Sequence, residues 1–219
     1  MIELPDPDRA WNYENGFYLT CDPARLGKLL AQYELFRLAA QRPGAIVECG
    51  VFKGASLIRF ATFRKLFCAG VRKPIVAFDT FGPFPDTAFA ADQPFRERFI
   101  QAAGEESISI DQLRQVLERK GCAYDLDLVA GDIARTVPAY VERHPDLAIS
   151  LLNLDTDLYE PAQVILQHLY PRLVPGGVLL LDDYGVFPGE SLAVDEYFGG
   201  SVEVRRLPFS ATPAFVVKV

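Results

Sequence analysis

Ala148-Ile149-Ser150-Leu151-Leu152-Asn153-Leu154-Asp155-Thr156-Asp157 and Gly177-Val178-Leu179-Leu180-Leu181-Asp182-Asp183-Tyr184 are two apolar runs that each break off into carboxylates. Runs this short, rich in Leu, Ile and Val, read as strands buried on both faces of a parallel sheet. Between them, Pro161 to Leu173 sets Val164, Ile165, Leu169 and Leu173 at helical spacing, ahead of the stop signal Pro175-Gly176-Gly177. Strand, helix and strand of this length make a crossover unit with both strand ends on one edge of the sheet. Asp155 and Asp182, far apart in sequence, are therefore expected in one crevice outside the carboxyl ends of the strands, where open α/β sheets bind ligands. Crowded carboxylates repel one another unless they bind protons or a cation. A hard divalent ion with oxygen ligands, Mg2+ first among them, resolves the conflict at neutral pH. The competing reading is an ordinary hydrated acidic strand end.

Composition narrows the classes of partner. With 219 residues, half of them hydrophobic, the chain can bury one substantial core, and a single domain over 1–219 is expected. A net charge of -7 and a pI near 4.9 argue against nucleic acid or an anionic membrane as partner, since both select basic surfaces. Cys21, Cys49, Cys68 and Cys122 show no close-paired spacing, which fits a reducing cytoplasm. Met1 to Asp8 is acidic and proline-broken where a secretory signal is basic and then apolar, and no apolar run reaches the roughly 18 residues of a membrane helix. A cytoplasmic protein with a small-molecule partner is the expectation.

Taken in order, residues 1–20 carry Trp11, Tyr13, Phe17 and Tyr18 among prolines and acids, too irregular a pattern for a regular element. They are expected to pack on the body or on a second subunit, or to form a flap over the site. Asp22 and Pro23 then open a helix that runs up to Pro43-Gly44, with Leu26, Leu29, Leu30, Tyr33 and Phe36 as its sheet-facing stripe, so that 1–44 forms an N-terminal segment and covering helix. Ala45 to Ser56 reads as a first strand entering a glycine-bearing turn: Glu48, Gly50, Phe52, Lys53, Gly54 and Ser56 lie where backbone can approach a ligand. The dinucleotide fingerprint G-x-G-x-x-G is absent, and Glu48 stands where a pyrophosphate would come close. An acid there suits a cationic ligand, and S-adenosylmethionine carries a sulfonium and an ammonium group. Asp79, closing the second strand Pro74 to Phe78, is placed to accept the hydroxyls of an adenosine ribose; the plainer role is a turn cap. Residues 80–107, with three prolines and five phenylalanines between Phe81 and Phe99, read as a lid or substrate region containing a helix near 94–102. The phenylalanines wall the pocket or patch the core. Ser109-Ile110-Asp111-Gln112 is a capping box with Ile108 and Leu113 as its staple, opening a helix that stops at Gly121. A third strand, Leu126 to Ala130, leads into Gly131 and Asp132, the latter placed for an adenine amine or as an N-cap. A helix over 190–198 and two closing strands, 202–207 and 214–219, complete an α/β, Rossmann-like, seven-stranded, mostly parallel sheet with a C-terminal antiparallel hairpin and helices on both faces.

Val47-Glu48-Cys49-Gly50-Val51-Phe52-Lys53-Gly54, Phe78-Asp79-Thr80-Phe81-Gly82, Asn153 to Glu160 and Gly176 to Tyr184 together resemble the macrocin O-methyltransferase family, class I methyltransferases that act on sugar hydroxyls of natural products. The resemblance covers about residues 22–200. It implies S-adenosylmethionine held by Glu48, Gly50, Phe52, Lys53, Gly54, Ser56, Asp79, Gly131, Asp132 and Asp155, and a divalent cation on Asp155, Asp182 and Asp183, with Asp157 beside them. A sugar-containing acceptor and a homodimer or larger homo-oligomer go with it. One departure stands out: some family members use a histidine base ahead of the third strand, and the histidines here are His144 and His168. Asp155 is then the expected proton acceptor. Other readings are methylation of a catechol-like hydroxyl, a nicotinamide-dependent oxidoreductase on the same fold, and a non-catalytic module that binds S-adenosylmethionine.

Overall fold

Seven strands form one mixed sheet in the computed structural model, which describes residues 2–219. They are β1 (Ala45–Cys49), β2 (Ile75–Asp79), β3 (Leu126–Ala130), β4 (Ile149–Leu154), β5 (Leu173–Leu181), β6 (Arg205–Arg206) and β7 (Ala214–Val217), in the spatial order β3-β2-β1-β4-β5-β7-β6. The first five run parallel, and β7 runs antiparallel to both β5 and β6. Every residue of β1, β2 and β4 is buried, the physical reason their sequences are apolar without alternation.

Helices α1 (Ala10–Thr20), α2 (Pro23–Ala40), α3 (Ala55–Phe67), α4 (Gln93–Ala103), α5 (Ile110–Arg119), α6 (Ile133–Arg143), α7 (Tyr159–His168) and α8 (Pro188–Phe198) connect them. Leu35 and Phe36 of α2, Phe60 of α3 and Leu117 of α5 pack with Leu151 and Leu180 on one face. Val137 of α6, Leu166 of α7 and Val194 of α8 pack with Leu152 and Leu179 on the other. Neighbouring strand residues thus feed opposite cores, as a two-residue period requires.

The strand order reverses between β1 and β4, and there the ends fall level: Cys49 pairs with Leu154, and Leu154 with Leu181. Bonding continues one residue further. Gly50 N–H donates to Phe78 O at 2.9 Å, Asp155 N–H to Cys49 O at 2.9 Å, and Asp182 N–H to Leu154 O at 3.0 Å. This register brings Gly50, Asp155 and Asp182 to one line across three strands. Gly50 has φ +90°, and a Cβ there would lie 1.7 Å from the carbonyl oxygen of Asp155.

Several expectations need correction. Residues 7–20 are regular: a 3-10 turn over Pro7–Arg9, capped by the Asp6 side chain, runs into α1. No residue of α1 is buried, and Trp11 stays 76% exposed, so α1 does not pack into the body, whereas Ile2 and Leu4 ahead of it do pack against the core. The scattered aromatics hid a helix that has no apolar face to bury. In α2 the buried face is Gly27, Ala31, Gln32, Leu35, Phe36 and Ala39, while Leu30 is 49% exposed. Small residues let the helix approach closely, and a Cβ on Gly27 would stand 2.8 Å from Phe209 O. The crossover helix ends at His168, and Pro175-Gly176-Gly177 lies inside β5, where it continues the strand. Helix α8 begins at Pro188, two residues before the expected start. Of the closing pair, the edge strand shrinks to Arg205–Arg206, whose exposed charges suit a sheet margin. The capping box at Ser109 and Gln112 and its buried staple, Ile108 and Leu113, are as expected.

Gly50→Ala should force β1 away from β4 and lower Tm by more than about 6 °C, equivalent to roughly 2–3 kcal/mol. A thermal melt within about 2 °C of the parent would contradict this close approach.

Candidate active site

A cavity of about 850 Å3 opens over the carboxyl ends of β1, β2, β4 and β5, at the upper end of the range for small-molecule sites. Of the residues singled out in sequence, Gly50, Phe52, Lys53, Ser56, Asp79, Asp132, Asp155, Asp182 and Asp183 line it. Glu48 is fully buried beneath, and Gly54 and Gly131 shape the backbone at its margin: Gly54 caps α3 with φ +82°, and Gly131 has φ +131°.

At the β1–β2 end, Glu48 Oε1 accepts a 2.5 Å hydrogen bond from Ser56 Oγ, while Oε2 has no partner. Burial drives this carboxyl up to about 8, assisted by Asp182 and Asp79 and opposed by the Ser56 hydrogen bond. Asp79 is a turn organiser: Oδ2 accepts Val51 N–H at 2.7 Å and Phe52 N–H at 3.0 Å, and Oδ1 accepts Phe81 N–H at 2.6 Å and Ser107 Oγ at 3.1 Å. A ribose hydroxyl bonded to Asp79 must share or displace one of these donors. Asp132 caps α6 through Ala134 N–H and still lines the cavity, so both of its expected roles are geometrically compatible.

At the β4–β5 end, one ligand oxygen each from Asp155, Asp182 and Asp183 lies within 4.8 Å of the others. Oxygens on opposite sides of Mg2+ stand about 4.2 Å apart, so little movement would close them on one ion. Asp182 Oδ1 and Asp183 Oδ2 are buried without a hydrogen-bond partner. Oxygen donors, negative charge and unsatisfied lone pairs fit a hard divalent cation. Burial raises the Asp155 carboxyl well above its usual range, with Asp182 adding to it, and raises Asp183 likewise, with Asp157 and Asp182 adding. Burial raises the Asp157 carboxyl well above its usual range as well, with Asp155 adding to it.

Lys28 supplies the positive charge present in this cluster, a role not expected from sequence. Its ammonium group donates to Asp182 Oδ2 and leaves Oδ1 available. Burial pulls the Lys28 pKa down, but Asp155, Asp182 and Asp183 outweigh it and hold the group above its ordinary value. Arg25 and Gln32 of α2 and Arg59 of α3 line the same wall, and Arg59 donates to Gln32 Oε1 at 3.0 Å. The signal was available: Arg25, Lys28 and Gln32 fall at i, i+3 and i+7 on one helix face, beside the small residues Gly27 and Ala31.

The phenylalanines of 80–107 divide between the two roles considered. Phe84 and Phe99 wall the cavity with Phe52, ring centroids 5.1–5.2 Å apart, whereas Phe89 stacks on Tyr159 at 4.9 Å and Phe95 packs on Phe187. His144 stacks on Tyr140 and His168 ends α7; neither lines the cavity.

Residues 22–201 match the family described as Macrocin-O-methyltransferase (TylF). The chain belongs to this family. A curated relative in Streptomyces olivaceus, 8-demethyl-8-(2,3-dimethoxy-alpha-L-rhamnosyl)-tetracenomycin-C 4'-O-methyltransferase, is 32% identical over 68% of this chain and 56% of its own length. Mycinamicin III 3''-O-methyltransferase of Micromonospora griseorubida is 29% identical over 71% of this chain and 60% of its own. The chain therefore spans a little over half the length of these relatives. Among solved structures, the calicheamicin methyltransferase CalS11 superposes with a TM-score of 0.79 at 28% identity, over 97% of this chain and 86% of that one. The seven-stranded, Rossmann-like methyltransferase architecture is thus that of the family. No helix among the described residues is long and apolar enough to cross a membrane.

Glu48 gives a pH signature. In the unfolded chain it ionises near 4.5; in the fold it stays protonated to about 8. Folding therefore takes up a proton between these values, and stability falls as pH rises from about 4.5 through about 8. Glu48→Gln, which cannot ionise, should match the parent near pH 5 and exceed it near pH 8 by about 1 kcal/mol or more, roughly 2–4 °C in Tm. Parallel Tm profiles at both pH values would refute the buried protonated form.

Proposed function

We propose that this chain transfers a methyl group from S-adenosylmethionine to a hydroxyl of a sugar-bearing acceptor, using a divalent cation, Mg2+ by preference, held by Asp155, Asp182 and Asp183. The carrying observation is the convergence of those three carboxylates in the same cavity as the Gly50 to Ser56 turn. Family membership supports methyl transfer over the nicotinamide alternative. The sugar oxygen as target is supported by the names of the relatives, one of which methylates a rhamnosyl-bearing tetracenomycin C and another mycinamicin III.

In this reading the β1–α3 turn binds the amino-acid end of the cofactor, Asp132 lies near its base, and Glu48 and Ser56 close the floor. Asp155, Asp182 and Asp183 would hold the cation, whose Lewis acidity would lower the pKa of the acceptor hydroxyl. Asp155 accepts the hydroxyl proton as the new C–O bond forms and the methyl C–S bond breaks. A carboxylate is the suitable acceptor because no histidine lines the cavity among the described residues. Phe52, Phe84 and Phe99 exclude water around the transferring methyl. Alignment of hydroxyl and methyl carries much of the rate.

The cationic wall sharpens the acceptor class. Arg25 and Arg59 make no ion pair with an acidic side chain among the described residues. A neutral glycoside offers neither guanidinium group an anion to bind, whereas the diphosphate of a nucleotide-linked sugar offers the oxygens that guanidinium forks match. CalS11 is described as a TDP-rhamnose 3'-O-methyltransferase, and this chain covers 88% of its apo structure, a longer share than of the curated relatives. A nucleotide-linked deoxysugar is accordingly the preferred acceptor.

Two measurements test this. Asp182→Asn should abolish EDTA-sensitive turnover while changing the S-adenosylhomocysteine Kd less than about threefold; equal loss of both would remove the metal role. Arg25→Gln should raise KM about tenfold, worth roughly 1.4 kcal/mol, for a nucleotide-linked deoxysugar and leave a neutral glycoside unaffected. Faster methylation of the neutral glycoside by the parent enzyme would overturn the acceptor class.

A further inference from the structure

Asp92 belongs to the 80–107 connection, immediately before α4, yet it is 0% exposed and its side chain makes no capping bond to α4. Its carboxylate turns inward and serves two other helices. Oδ2 accepts the N–H of Tyr159, the first residue of α7, at 2.9 Å; Oδ1 accepts the N–H of Gly189, in the first turn of α8, at 2.7 Å. Neither α7 nor α8 has a side-chain cap from its own N-cap residue. A single acid supplied from a distant loop thus satisfies orphan donors of both, and its negative charge faces the positive ends of both helix dipoles.

The two helices are those that follow the acidic strand ends. Asp155 and Asp157 lie between β4 and α7; Asp182 and Asp183 lie between β5 and α8. Glu190, next to Gly189, accepts the Asp183 N–H at 3.0 Å, so the α8 end of this bridge leads directly to a candidate ligand. The fit is tight: a Cβ on Gly189 would stand 1.9 Å from Asp92 Oδ2 and 2.6 Å from Tyr159 N. The same region is fastened a second time from the opposite side. Glu160 of α7 accepts Ala88 N–H at 2.8 Å, Phe89 N–H at 3.0 Å and Thr87 Oγ at 3.0 Å. Glu160 holds the wall alone, whereas Asp92 holds the wall and both acid-bearing loops.

We propose that Asp92 is a positioning residue for the reaction: by bridging the first turns of α7 and α8 it sets the separation of the loops that carry Asp155, Asp157, Asp182 and Asp183, and it ties the acceptor-side wall to that setting. The inference rests on the metal-assisted methyl transfer proposed above. A carboxylate is needed because both oxygens must accept; an amide in its place presents an N–H to an N–H at one of the two bonds.

The test compares Asp92→Asn with Glu160→Gln. For Asp92→Asn, the Mg2+ Kd by calorimetry should rise about tenfold or more, kcat should fall about tenfold with acceptor KM within about threefold, and amide exchange at Tyr159 and Gly189 should quicken together. Glu160→Gln should raise acceptor KM and leave the Mg2+ Kd and kcat close to the parent. A folded Asp92→Asn protein with parental Mg2+ Kd and kcat would overturn the proposal and leave Asp92 a structural staple. Should that variant not fold, exchange in the parent decides: added Mg2+ should slow the Tyr159 and Gly189 amides, and no change at either overturns the bridge. If the parent methylates no acceptor, the proposed activity fails, while the Mg2+ Kd and exchange results still decide the role of Asp92.

Discussion

Carboxyl groups crowded at one end of a sheet govern this molecule. Glu48, Asp157, Asp182 and Glu190 are buried and Asp155 and Asp183 half-buried where β1, β4 and β5 end level, and the register of those strands brings Asp155 and Asp182 there. Such a group cannot ionise fully without positive charge nearby. Lys28 meets part of the need, and the unpartnered oxygens of Asp182 and Asp183 mark what is left. A fold optimised for stability alone would place apolar side chains there. Retaining the acids makes sense if a cation completes them.

The surrounding structure is arranged to hold that strained end in one geometry. Gly50 lets β1 approach β4 to a distance no side chain permits, which fixes Asp155 relative to the β1–α3 turn. Asp79 ties the β1–α3 turn to the loop after β2 through backbone donors. At the wall formed by residues 80–107, Asp92 and Glu160 exchange hydrogen bonds between that region and the body in both directions. The cavity wall is therefore part of a connected frame, in which carboxylates bind backbone N–H groups at the places where loops would otherwise be free.

The central strands and their acids were legible because a parallel crossover has one handedness and one outcome: apolar runs ending in Asp155 and Asp182 must return to the same edge. The capping box at Ser109 was equally readable, being local chemistry. What escaped was long-range. Arg59 joins the Lys28 face only when α2 and α3 are placed over the sheet, and the buried face of α2 that orients Lys28 is set by the small residues Gly27 and Ala31, which hydrophobic periodicity underweights. Asp92 gave no signal in a proline- and phenylalanine-rich stretch, since its partners lie some 70 and 100 residues away and are backbone groups. Helix α1 escaped for the opposite reason: it buries nothing, so its sequence carries no amphipathic stripe.

The most direct test of the account is anomalous diffraction from crystals grown with Mn2+ and S-adenosylhomocysteine, Mn2+ standing in for Mg2+ with a detectable signal. The prediction is one strong peak bonded to carboxylate oxygens of Asp155, Asp182 and Asp183 at about 2.2 Å, with Lys28 still on the other oxygen of Asp182. A filled cofactor turn with no peak among these aspartates, at a concentration that saturates binding in solution, would contradict it.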